Sequence, residues 1–157
     1  MRGETASVAR RIVDANMYMT IATADADGRP WVSPVWFAPR SEKEFLWVSS
    51  PDARHSRNIV VRSAIAIVIF DSTVPVGAAE ALYIEAVATE VSSRDLDEAI
   101  ATYSTRSQRH DAGAWVPANV LPPARLRLYR ATAGSQFVLG PGDERLPVGK
   151  VTGAAGS

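Results

Sequence analysis

Residues 46–59 decide the fold, and they read Leu46-Trp47-Val48-Ser49-Ser50-Pro51-Asp52-Ala53-Arg54-His55-Ser56-Arg57-Asn58-Ile59. The first three residues are apolar and suit a strand. Ser50 suits the N-cap of a helix, Pro51 suits its first position, and Asp52 favours the positive end of the helix dipole. The stretch therefore predicts a strand that ends near Ser49 and a helix over about residues 51–62.

The predicted start of this helix carries groups that bind anions. A helix N-terminus exposes backbone N–H groups, and phosphates bind there readily. Two hydroxyls and three potential cations lie within two turns of it: Ser49, Ser50, Arg54, His55 and Arg57. These groups suit a phosphate. Taken alone, however, the pattern more often belongs to an ordinary capped helix on the protein surface, which needs no ligand.

The composition bounds the class of protein. The chain has 157 residues, 46% of them hydrophobic, with 17 basic and 17 acidic residues in balance. These values predict one globular domain, here residues 1–151, and no net field that would attract nucleic acid or an anionic membrane. The chain has no cysteine, no apolar run long enough to cross a membrane and no apolar signal-peptide core. We expect a soluble cytoplasmic protein.

The order of predicted elements indicates an antiparallel architecture. Helices are predicted over residues 5–16, 51–62 and 92–108, the last beginning with a Ser92/Asp95 capping box. Strands are predicted over residues 18–24, 31–38, 45–49, 64–71, 81–91, 125–132, 137–139 and 146–151. Residues 64–71 are almost continuously apolar, which predicts a strand buried on both faces. Residues 109–123 predict an irregular loop, and residues 152–157 a disordered tail.

Hairpins rather than regular βαβ units connect these strands, so the pattern predicts a mostly β, α+β fold or a closed antiparallel barrel with helical excursions. Pro34 interrupts the second strand, because proline cannot donate to a ladder. It indicates a bulge, or a backbone that a ligand can approach. Trp36 and Trp47 favour core packing over ligand contact. His110 has no partner at the spacing of a metal site or a catalytic triad.

Several segments together resemble the pyridoxamine 5'-phosphate oxidase-like FMN-binding split-barrel family. They are Thr20-Ile21-Ala22-Thr23, Gly28-Arg29-Pro30, Ser33-Pro34-Val35-Trp36-Phe37, Trp47-Val48-Ser49 and Arg54-His55-Ser56-Arg57-Asn58-Ile59, in that order. The resemblance covers about residues 7–150. It implies a six-stranded antiparallel split β-barrel with flanking helices and a homodimer with FMN in the groove between subunits.

The resemblance also implies which residues bind the cofactor. Ser33, Pro34, Val35 and Trp36 lie on the strand whose backbone edges the flavin ring. Val48 and Ser49 match the strand-end pair whose hydroxyl reaches the phosphate. Arg54 and His55 match an Arg-Lys pair on the same phosphate.

Departures from the family pattern point to another substrate. The oxidases have Arg and Lys where this chain has Ser33 and Ala38, and residues 136–148 do not match their substrate-phosphate residues. The resemblance therefore implies an oxidoreductase that transfers hydride between FMN and an unidentified small molecule. Two alternatives stay open: a reductase that uses a deazaflavin coenzyme, and a non-catalytic flavin-binding or sensory dimer. No side chain stands out as a general acid or base.

Overall fold

The structure is a computed structural model that describes residues 2–149. The three helices are α1 (Arg2–Ala15), α2 (Arg54–Val61) and α3 (Leu96–Arg109). The eight strands are β1 (Tyr18–Ala24), β2 (Pro30–Trp36), β3 (Ala38–Pro39), β4 (Glu44–Ser49), β5 (Ala64–Phe70), β6 (Ala81–Glu90), β7 (Arg127–Leu139) and β8 (Arg145–Pro147). The predicted tail, residues 152–157, lies outside the described residues.

The strands form one antiparallel sheet in the order β2-β1-β5-β6-β7-β4-β3, with β8 paired to β7. The sheet curls into a half-barrel, because β2 at one end approaches β4 near the other without pairing to it. This is the predicted split-barrel class. Strand number differs from the predicted six: the six longer strands form the barrel, and two short strands, β3 and β8, add to it.

Two hydrophobic cores hold the sheet. The larger core packs the inner face of the sheet against α1, with Ile12, Ile21 and Ile67 among its buried residues. The smaller core lies under α3 and contains Ile100 and Leu128. The loop between α3 and β7 is irregular as predicted, apart from one 3-10 turn over Pro117–Asn119.

The predicted start of the second helix was wrong. Ser50 Oγ accepts the backbone N–H of Asp52 at 3.1 Å, and the carbonyl of Ser50 accepts the N–H of Ala53 at 3.2 Å. These bonds form a separate turn, and Ala53 is extended with φ −61° and ψ 145°. The helix therefore begins at Arg54 with Ala53 as its N-cap, and no side chain caps it. The hydroxyl of Ser50 serves the turn instead.

The Ser92/Asp95 capping box was also wrong. Asp95 is the N-cap of α3 but makes no side-chain cap bond. Its carboxylate accepts from Arg40 at 2.8 and 3.0 Å and from Arg130 at 2.7 Å. Two guanidiniums outcompete one backbone N–H for the same oxygens, because charge-assisted hydrogen bonds are the stronger ones.

Strand β5 has one buried face, not two. Ile65, Ile67 and Ile69 are buried, whereas Ala66 is exposed and Phe70 is 46% exposed on the opposite face. Strand β7 corrects a second expectation, because it runs unbroken through two predicted strands. A register shift opposite Ile84/Ala86 accommodates Gly134 within it.

Candidate functional site

The strand-to-helix corner brings Ser49 and His55 together. Ser49 is the last residue of β4 and His55 is the second residue of α2. The Ser49 Oγ and His55 Nε2 atoms lie 2.6 Å apart, within hydrogen-bond distance. The turn between them places both side chains beside the first turn of the helix. The corner therefore joins two of the predicted phosphate-binding residues directly.

Burial determines the charge state of His55. The side chain is only 8% exposed, and burial lowers the pKa of its imidazole because a charged ring is disfavoured away from water. His55 is therefore neutral at pH 7 and carries one N–H. In the tautomer with hydrogen on Nε2, it donates to Ser49 and leaves the Ser49 hydroxyl hydrogen available to an anion. The other tautomer accepts that hydrogen.

Arg54 supplies the positive charge at the corner. It is the first residue of α2, its side chain is exposed, and its guanidinium carbon lies 4.4 Å from the ring centroid of Trp31. Arg57, by contrast, donates to the backbone carbonyl of Asp52 and is held at the surface. Of these two arginines, Arg54 is the better candidate for an external anion.

A buried hydrogen bond fixes α2 against the first hairpin. Asn58 Nδ2 donates to Thr23 Oγ1 at 3.0 Å, and each residue is 4% exposed. Thr23 of β1 pairs in register with Trp31 of β2, whose ring lies under Arg54. Farther along the chain, Arg62 Nε donates to the carbonyl of Asp25 at 2.8 Å. The orientation of the corner thus depends on tertiary contacts with β1 and β2.

The predicted ring-edging residues lie on an edge strand. Within the described chain β2 pairs only with β1, with Pro34 opposite Thr20. Ser33 is half-buried and Pro34 is exposed, whereas the side chain of Val35 packs in the larger core. The outer backbone edge of β2 is not used by another strand of the described chain, so its polar groups are available to a ligand.

Two other predicted residues turn their side chains toward the smaller core. Trp36 packs edge-on against Tyr103, with ring centroids 5.2 Å apart, and Val48 packs against the same core. Their side chains contribute to this core, and their backbone atoms remain candidates for contact with a ligand. Burial raises the pKa of Tyr103 to about 12, which makes its hydroxyl a poor acid or base at neutral pH.

Trp47 and Trp115 have structural roles. Trp47 is fully buried and stacks on Tyr129 at 5.7 Å, as its core assignment predicts. Trp115 anchors the long loop, because its backbone N–H donates to Ser104 Oγ at 2.8 Å and its ring packs edge-on against Tyr103.

Sequence reasoning missed Trp31, Thr23 and Asn58 as residues of the site. Asn58 lies four positions after Arg54, so both face the same side of a helix, and this spacing was the available signal. Among residues 2–149 no cluster of three or more His, Asp or Glu side chains could hold a metal ion. In that same part of the chain, no helix is both long and apolar enough to cross a bilayer.

A family model described as pyridoxamine 5'-phosphate oxidase matches residues 7–133. The chain belongs to the pyridoxamine 5'-phosphate oxidase-like split-barrel family. The match spans both the edge strand β2 and the strand-to-helix corner.

Solved structures share this split-barrel fold at low sequence identity. HutZ, a heme storage protein from Vibrio cholerae, is 24% identical, with 82% of this chain and 90% of HutZ covered and a TM-score of 0.65. A heme binding protein from Mycobacterium smegmatis is 18% identical over 90% of this chain, with a TM-score of 0.70. The match covers 56% of that protein, so this chain spans about half its length.

An F420 reductase is a third structural neighbour. It is 21% identical, with 76% of this chain and 88% of that chain covered and a TM-score of 0.55. A search of the curated proteins finds no sequence that matches this chain. Split-barrel neighbours with different ligands therefore share one fold, and the ligand must be argued from the site.

Proposed function

We propose that this protein is an FMN-binding oxidoreductase that transfers hydride between the flavin and a small molecule. The observation that supports the proposal is the corner itself, where the bonded pair Ser49–His55 lies beside the exposed cation Arg54 at the start of α2. A hydroxyl, a guanidinium and free helix N–H groups are the donors that a phosphate needs.

The residues fit a flavin phosphate in their chemistry. Ser49 and Arg54 would bind the phosphate, His55 would orient Ser49, and the backbone of Ser33 to Trp36 would border the ring. When bound, the flavin supplies the hydride chemistry, and the protein supplies binding, orientation and exclusion of water. We assign no general acid or base to a side chain of this chain.

We further propose that the working unit is a homodimer with the cofactor at the subunit interface. The outer face of the sheet carries exposed apolar side chains across four neighbouring strands, including Val32 (59% exposed), Ala66, Phe70 and Val87 (56%). An apolar face of this kind on a soluble domain suits burial against a partner. A second copy of the chain would also explain the continuously apolar sequence of β5.

The substrate differs from that of the oxidases that define the family. Ser33 of β2 and Ala38 of β3 stand where the oxidases have two cationic residues, and Ala38 is fully buried. The site therefore lacks charge at both positions, and we propose that it accepts a substrate other than pyridoxamine phosphate.

The decisive experiment is a spectrum and mass measurement of whatever copurifies with the protein, followed by titration with FMN. We expect a bound flavin, or uptake of FMN at micromolar concentration. A protein without flavin absorbance that does not bind FMN would contradict the proposal. A heme spectrum would assign the site to the ligand of the HutZ-like neighbours instead.

The second candidate is a deazaflavin coenzyme, because an F420 reductase shares the fold. Parallel titration with FMN and the deazaflavin distinguishes the two, since the correct coenzyme binds far more tightly. A non-catalytic flavin-binding dimer would bind FMN but show no steady-state turnover with reduced nicotinamide and any acceptor.

A further inference from the structure

Trp31 lies outside the strand-to-helix corner but contacts Arg54, the cation of that corner. It is the second residue of β2 and is 40% exposed, and the Arg54 guanidinium carbon lies 4.4 Å from its ring centroid. A guanidinium at this distance over an indole face is attracted by the ring quadrupole. The contact connects the edge strand to the first residue of α2.

Trp31 is held in place from the other side of the hairpin. Its register partner Thr23 accepts the hydrogen bond from Asn58, and Thr23 Oγ1 lies 3.5 Å from the Trp31 carbonyl oxygen. Arg54 and Asn58 are four residues apart, so a single face of α2 contacts both members of this cross-strand pair. The same contacts therefore fix both the rotation of α2 about its axis and the position of the Trp31 indole.

The carboxylate of Asp25 lies within electrostatic range of Arg54. The backbone N–H of Arg29 is the main cause that lowers the pKa of the Asp25 carboxyl, and the charge of Arg54 lowers it further. Asp25 lies in the turn that joins β1 and β2. A guanidinium without the indole beneath it could turn toward this carboxylate, which would compete with an external phosphate.

We propose that Trp31 is a positioning residue, which holds the Arg54 guanidinium ready for the phosphate end of the cofactor. The inference rests on the proposed function. A side chain that is ordered before binding loses less rotamer freedom when the ligand arrives. Preorganisation of Arg54 should therefore raise the affinity for the cofactor. Trp31 itself does not touch the phosphate.

Paired titrations with FMN and riboflavin test the inference, because riboflavin has the same ring system without the phosphate. In the Trp31→Leu variant we expect FMN to bind about threefold to tenfold more weakly, the range for a partly exposed cation–π contact. Riboflavin affinity should be unchanged. Trp31→Phe should retain most of the FMN affinity, since it keeps an aromatic face.

Three outcomes would overturn the assignment. Equal weakening of FMN and riboflavin would mean that Trp31 contacts the ring system. Unchanged FMN affinity in Trp31→Leu would mean that Arg54 needs no support. A further loss of FMN affinity when Trp31→Leu is added to Arg54→Ala would mean that Trp31 acts by another route.

A second measurement does not depend on flavin binding. The order parameter of the Arg54 Nε–H group, measured by NMR relaxation on the full chain, should fall in Trp31→Leu and stay high in Trp31→Phe. An unchanged order parameter would reject the positioning role. If the wild-type protein binds neither flavin, the proposed function fails, and this measurement still decides whether Trp31 orders Arg54.

Discussion

Ser49 Oγ and His55 Nε2 lie 2.6 Å apart, and this contact ties the last residue of β4 to the first turn of α2. The contact joins β4 to α2 across the turn that separates them, although no side chain caps the helix. The same two residues are among those that the family resemblance predicts at the cofactor phosphate. The junction of β4 with α2 and the proposed phosphate site therefore share the Ser49–His55 contact.

Removal of the direct phosphate contacts should weaken FMN binding selectively. In the double variant Ser49→Ala/Arg54→Ala we expect FMN binding to be weaker by about 2–4 kcal/mol, because one hydroxyl hydrogen bond and one charge-assisted hydrogen bond are lost. Isothermal titration calorimetry measures the change, and riboflavin should be unaffected. Arg57→Ala is the matched control, since Arg57 is held by the carbonyl of Asp52. Unchanged FMN affinity in the double variant would move the site elsewhere.

The burial of His55 predicts a loss of stability in mild acid. Its pKa in the folded chain lies below the ordinary value of 6.5 because burial disfavours the charged ring. Between the folded pKa and 6.5 the unfolded chain binds more protons, so the free energy of unfolding decreases as the pH falls through that window. Well above 6.5 the ring is neutral in both states, and this group contributes no pH dependence.

Urea unfolding at several pH values from neutral to mildly acidic measures this effect. His55→Gln should flatten the profile in the window just below 6.5, since glutamine does not titrate. The loss of stability below about pH 4 should remain in the variant, because the carboxylates with lowered pKa values, such as Asp95, become protonated there. An identical acid profile for wild type and variant would show that His55 is not the titrating group.

The candidate residues of the corner could be predicted because they are close in sequence. Ser49, Arg54 and His55 lie within seven positions, so motif and spacing alone bring them together. The cap assignment failed because Ser50 has two competing uses, and the turn with Asp52 took the hydroxyl. Local propensity does not decide between such alternatives.

The supporting residues could not be found in this way. Trp31 and Thr23 meet α2 only after the β1–β2 hairpin packs on it, and that packing is a long-range event. The two-sided burial predicted for β5 failed for a related reason. An apolar run does not say whether both faces of a strand are covered, or whether the same chain or a partner covers them.

Asp95 should contribute to stability as the shared anion of two guanidiniums. Arg40 and Arg130 both donate to it, and all three side chains are about one-quarter exposed. Asp95→Ala leaves the two guanidiniums to share Glu44, which lies 3.2 Å from Arg40 and 3.9 Å from Arg130, and we expect a loss of about 1–3 kcal/mol in the free energy of unfolding. Glu42→Ala is the control, since it breaks only the exposed Arg10 pair and should change stability by less than about 1 kcal/mol. Equal effects of both substitutions in urea unfolding would contradict the role of Asp95.

The exposed face of the sheet should mediate self-association. Ala66 lies at the centre of a cross-strand row that includes Ala22, Val32 and Glu85. We expect Ala66→Arg to convert a dimer into a monomer in sedimentation velocity, because the long side chain would hold the two sheet faces apart even where Glu85 pairs with its charge. Val76→Arg is the control, since Val76 is fully exposed in a loop and lies off this face. A monomeric wild-type protein would contradict the homodimer.

Substitutions of the buried pair Thr23 and Asn58 should have strongly non-additive effects on the free energy of unfolding. Thr23→Val removes the acceptor and leaves the Asn58 amide buried without a partner, so we expect a loss of about 1–3 kcal/mol in the free energy of unfolding. Thr23→Val/Asn58→Leu replaces both polar groups with apolar ones and should recover part of that loss. The matched control is Thr89→Val on an exposed strand position, with an expected change within about 0.5 kcal/mol. Additive losses in the double-mutant cycle would show that the two side chains stabilise α2 independently, and the hairpin would then not set the orientation of the corner.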